Sequence, residues 1–182
     1  MLFSRVVSYL AFFLTLGILA TAKPVELENR ASVSLAEEVV SALKSKTDSI
    51  VPQIKSAASS KPVSASAITP LLNELITAFN EAHSSLGQVS LLKEKKRQNA
   101  NDVANTFAGV VTDVAGAVKL IPVGLPGLPG LIVSLDVALS ELLVGLDVAV
   151  VGLGVLLGGL LTGVAGLLGG LGLGLTLGLL GL

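Results

Sequence analysis

The chain has 182 residues, 52% of them hydrophobic and only 14% charged, with a formal net charge of −1. A near-neutral chain without Trp has neither the basic patch nor the stacking platforms that nucleic-acid binding uses. The absence of Cys excludes thiol catalysis, Cys-based metal sites and a disulfide framework, so stability must come from packing or association.

Residues 1–5 form a short basic lead, and residues 6–19 an apolar run too short for a comfortable membrane span. Ala20-Thr21-Ala22 supplies the small-x-small pattern that a signal peptidase reads. The expectation is a signal peptide over residues 1–22, cut after Ala22, with an uncleaved anchor as the alternative.

Residues 23–92 read as a charged, amphipathic helical region. Ser34 and Glu37 have the spacing of a capping box after a short lead. A stripe follows through Leu35, Val39, Leu43, Ile50, Ile54 and Ala57, with a kink or break expected near Asp48 to Pro52 because Pro removes a helical donor. Residues 56–66, rich in Ser, Ala and Pro, read as a loop. Thr69-Pro70 resembles an N-cap followed by Pro at the first helical position, and the helix can begin a few residues earlier. The next seam, Ile68, Leu72, Leu75, Phe79, Ala82, Leu86 and Val89, alternates spacings of four and three.

Residues 93–102 form a basic and polar linker. The stretch reads first as a solvated charged linker; Lys96-Arg97 within it is a dibasic pair of the kind that kexin-type proteases cut, and the alternative is cleavage after Arg97, which would separate the two halves. Residues 103–182 form a hydrophobic helical region. Asn101 or Asp102 can cap a third helix, whose seam is Val103, Phe107, Val110, Val114, Ala117 and Ile121. Prolines and glycines break regular structure over residues 121–130. A fourth helix is expected from about Leu131 to Val151, apolar nearly all round apart from Asp136, Ser140, Glu141 and Asp147. Those carboxylates are read either as a solvated stripe that orients the helix or as a pH-sensitive or ion-binding face.

The last 35 residues, 148–182, hold fourteen Leu, twelve Gly and no charge. Gly154, Gly158, Thr162, Gly166, Gly170, Gly174 and Gly178 recur at a spacing of four, a row of small-xxx-small helix contacts. In water each helical Gly costs about 1 kcal/mol relative to Ala, so an isolated helix here is untenable. Helix is expected only in a membrane, in a bundle or at an interface, where unpaired backbone groups are more costly still. One membrane span needs about 20 residues. The tail is longer, and no Lys or Arg follows Lys119 to anchor a cytosolic flank.

No constellation supports chemistry. His83 is the only histidine and, without Cys, has no ligand set or triad; it reads as structural. No catalytic, cofactor-binding or metal-binding residue is assigned, and no nucleic acid or small-molecule substrate is expected.

The layout resembles a family of small secreted proteins of mushroom-forming fungi. The features that carry this are the signal peptide, the charged helical first half, Lys96-Arg97-Gln98 in the linker, and the cysteine-free tail with Gly174-Leu175-Thr176-Leu177-Gly178. The resemblance covers the whole mature chain by pattern and implies a role in aerial hypha formation and attachment, beside hydrophobins. The first half is also distantly similar to fungal hydrophobic-surface-binding proteins, which are helical. Neither resemblance brings catalytic residues.

The sequence thus predicts an all-α protein: an antiparallel helical bundle or hairpins with a long Gly/Leu-rich helical segment at its end. The expected function is that of a secreted, non-enzymatic, cell-wall-associated protein that self-associates or adsorbs to hydrophobic surfaces, with cell wall or lipid as further partners. The rival readings are an integral membrane protein of the secretory pathway and the precursor of a membrane-active C-terminal peptide.

Overall fold

The computed structural model describes residues 25–87 and 100–182. The signal peptide with its cut after Ala22, the seam residue Val89, and the Lys96-Arg97 pair all lie outside the described residues. Within them the protein is all-α.

Helix α1 runs over Val25–Ser59, with Pro52 inside it. Two expectations are corrected here. Ser34 does not start a helix, because the helix is already under way from Val25, and the chain does not break near Pro52. Pro52 is exposed, while its neighbours Ile50, Val51 and Ile54 are buried. Burying aliphatic side chains at about 1.5–3 kcal/mol each on both sides of the proline outweighs a cost of about 3 kcal/mol for one lost helical hydrogen bond and ring clash. The core side of α1 is Ala36, Val40, Leu43, Thr47, Ile50 and Ile54, one position away from the expected stripe at its start and coincident with it from Leu43.

Helix α2 occupies Ala65–Gly87, starting five residues before Pro70. The Ser64 carbonyl accepts from the Ala67 and Ile68 amides at 3.1 and 3.2 Å, which closes its first turn. The loop between α1 and α2 is correspondingly shorter than expected. Ile68, Leu72, Leu75, Phe79, Ala82 and Leu86 are all buried, as their spacing predicts. Helix α3, Ala100–Val118, begins inside the expected linker, so residues 100–102 belong to the helical region. Its predicted seam is buried from Val103 through Ile121.

The Pro/Gly stretch ends at Gly127, whose φ of 82° is open to glycine at little cost, and α4 follows over Leu128–Ala149. The tail is helical but not one helix. It comprises α5 (Leu153–Leu161), a 3₁₀ turn (Thr162–Val164), α6 (Ala165–Leu171) and α7 (Gly174–Leu180). Gly172 stops α6 in the left-handed region (φ 82°), with the Leu173 amide reaching back to the Leu168 carbonyl at 3.1 Å. That pattern of bonds is a Schellman stop.

Helix α1 packs against α2 and α3, and α2 against α4. The exposed Lys46 pairs across the first hairpin with Glu81. Near the C-terminal ends of α2 and α4, Leu86 lies against Gly145, so these two helices run in the same sense. The tail closes the remaining side: α5 lies on α3, α7 lies on α4, and α5 and α7 touch each other. One continuous core results, from Ala36 to Leu180, and it joins the two halves that the sequence reading kept apart.

Candidate interaction surface

The outer faces divide the molecule. Among residues 36–87 and 100–182, whose side chains are described, every large hydrophobic side chain that is exposed lies beyond Lys119. On α4 they are Val133, Val137, Val144 and Val148, between 38% and 61% exposed. Val155 on α5, at 83%, and Leu175 and Leu179 on α7 continue the apolar exposure. By contrast the outer sides of α1 and α2 carry Lys44, Lys46, Asp48, Lys55, Glu74 and Glu81. The polar side is ordinary in its electrostatics. Lys44 donates to Asp48 at 2.9 Å, and this hydrogen bond holds its amine above its usual pKa.

The carboxylates of α4 are not a uniform solvated stripe. Asp136 is buried and binds the start of α7: Oδ2 accepts from the Leu175 amide at 2.9 Å. Oδ1 accepts from the Thr176 amide at 2.9 Å and the Thr176 hydroxyl at 2.7 Å. A buried carboxylate is tolerable only when its oxygens are satisfied in this way. Ser140 is also buried, bonded to the Val137 carbonyl at 2.8 Å. Asp147 accepts from the Gly154 amide at 3.0 Å and so caps the start of α5. Only Glu141 behaves as a plain exposed acid. Two of the three charges beyond Lys119 therefore hold the last helices in place. The polar residues of α4 are thus divided: Asp136 and Ser140 face inward among buried leucines, whereas Glu141 and Asp147 stay exposed beside the outward valines.

The glycine row does not form a continuous contact face. Gly158 is buried, and a Cβ there would lie 2.6 Å from the Leu180 carbonyl oxygen, so this position needs glycine for a close approach. Gly154 is half-buried beside Asp147. Thr162 is exposed and bonds its hydroxyl to the Gly158 carbonyl at 2.8 Å. Gly166, Gly170, Gly174 and Gly178 are exposed with open space around them. The reason is the break at Thr162–Val164 and the stop at Gly172, which turn successive segments so that a spacing of four no longer marks one face. Leucines take the inner positions instead: Leu153, Leu157, Leu161, Leu168, Leu173 and Leu180.

His83 sits half-buried between α2 and α4, its Nδ1 without a hydrogen-bond partner and facing Gly145. Among the described residues no cluster of His, Asp and Glu could hold a metal ion. A shallow depression of about 130 Å³, lined by Val144, Asp147, Val148, Gly154 and Leu179, joins α4 to α5 and α7 along the apolar side. One helical run among the described residues, Leu153–Leu171, is long and apolar enough to cross a membrane, and 28% of its most apolar window is buried.

No protein-family model and no curated protein sequence matches the chain.

Proposed function

We propose that this is a secreted, non-enzymatic protein of the cell surface that adsorbs to hydrophobic surfaces or self-associates through its C-terminal half. The observation that carries this reading is that, among residues 36–87 and 100–182, the exposed large apolar side chains all fall within 120–182, while the outer sides of α1 and α2 are polar. A contiguous apolar face larger than a few hundred Å² on a soluble protein marks a contact with something else. The shared core supports the reading further, because it lets the Leu/Gly tail be folded in water without consuming its outer face. The resemblance to fungal proteins of hyphal attachment and aerial growth points the same way. Mass spectrometry of culture medium and wall extract tests export: the reading expects a mature chain beginning at Lys23, and recovery only from internal membranes would contradict it.

A second reading, an integral membrane protein of the secretory pathway, rests on the run Leu153–Leu171. It predicts that the protein stays with the membrane pellet after alkaline carbonate washing, whereas the adsorption reading predicts release.

A further inference from the structure

We propose that the valine stripe of α4, with Leu175 and Leu179 of α7 beside it, is the line along which single copies of this chain lie on an uncharged apolar phase. The inference rests on the adsorption reading above and names the surface and its partner. At 3.6 residues per turn, Val133, Val137, Val144 and Val148 fall within an arc of roughly 60° on α4. Their 15-residue separation makes the stripe about 22 Å long. Glu141 lies just outside one border of that arc and Asp147 just outside the other, both exposed. A helix lying flat on an apolar phase keeps such flanking carboxylates in water while its centre is covered.

Two competing occupants fit less well. A second copy presenting the same face would bring acid to acid, because no charge beyond Lys119 is basic. An anionic bilayer attracts basic residues near its surface, and this side presents Asp147 and Glu141 instead. An uncharged apolar phase asks only for exposed apolar area, which continues past α4 through Val151 and Val155.

The test uses the protein as exported by its host. Adsorption at a dodecane–water boundary is followed by drop tensiometry for the wild type, for V137S/V144S/V148S, and for V123S. Val123 lies in the loop before α4, off the stripe, and is 90% exposed. Circular dichroism checks that each variant keeps its helix content. The stripe variant is expected to adsorb at least about tenfold more weakly, V123S to match the wild type, and neither to bind phosphatidylglycerol vesicles. Undiminished adsorption by a folded stripe variant would overturn the placement while leaving the functional reading intact. Failure of the wild type itself to adsorb would sink both. Tight binding of the wild type to phosphatidylglycerol vesicles, or a solution dimer that the stripe variant abolishes, would overturn the choice of partner.

Discussion

Asp136 on α4 and Thr176 on α7 are 40 residues apart in sequence and share two hydrogen bonds, one from the Thr176 amide and one from its hydroxyl. With the Leu175 amide as third donor, the carboxylate stands where a helix N-cap side chain would, although it comes from another helix. It fixes where the last helix begins, and hence where Leu180 meets Gly158.

Replacing Asp136 by Ala should therefore destabilise the fold by about 2–4 kcal/mol, since it strands two buried donors and one part-buried donor. Thr176→Val should cost about 1 kcal/mol, the loss of one hydroxyl hydrogen bond. Because both act on one site, the double variant should cost little more than Asp136→Ala alone. Urea denaturation midpoints measure all three, and additive losses would show that the two residues do not act together.

Two glycines of the four-spaced row, Gly158 and Gly166, should differ in the sign of their effect. Gly158→Ala drives a methyl into the Leu180 carbonyl, 2.6 Å away, and should cost about 1–3 kcal/mol. Gly166 in α6 has open space, so Gly166→Ala should stabilise by up to about 1 kcal/mol through helix propensity. Thermal melting of the two variants distinguishes this arrangement from one continuous glycine face, which would penalise both.

The tail's inner and outer side chains should also separate. Leu157, fully buried, should cost about 2–5 kcal/mol on truncation to Ala. Val155, two residues earlier and 83% exposed, should change stability by less than about 0.5 kcal/mol when replaced by Ser. Equal effects in chemical denaturation would mean that α5 does not pack on α3 as described.

The shared core bears on what a cut after Arg97 would produce. Since α1 packs on α3 and α2 on α4, a chain supplied as two pieces, ending at Arg97 and beginning at Gln98, should reassociate and co-purify. Cleavage would then give a two-piece protein instead of a free C-terminal peptide. Separate elution of the pieces under native conditions would contradict this.

These relationships differ in how far the sequence revealed them. The seams of α2 and α3 were readable because apolar and polar residues alternate around them at helical spacing, and every described member from Ile68 to Ile121 is buried. The orientation of α4 was not, because a helix that is apolar nearly all round has no inward side of its own. Its inward face is set by partners: α2 on one flank and α7 on another, the latter drawn to Asp136. In the tail, twelve glycines look alike, and nothing local distinguishes Gly152 and Gly172, which adopt left-handed φ, from Gly166 or Gly170 in helical backbone. Pro52 misled for the opposite reason. Its local cost is real, but the buried Ile50, Val51 and Ile54 around it carry the helix through.

The most direct measurement is the surface tension of water over a dilute solution of the purified, exported protein. A folded chain whose outer apolar face is free should lower it steadily as the protein collects at the air–water boundary, with helical circular dichroism retained in the bulk. An unchanged surface tension from a folded, soluble protein would contradict the proposed role.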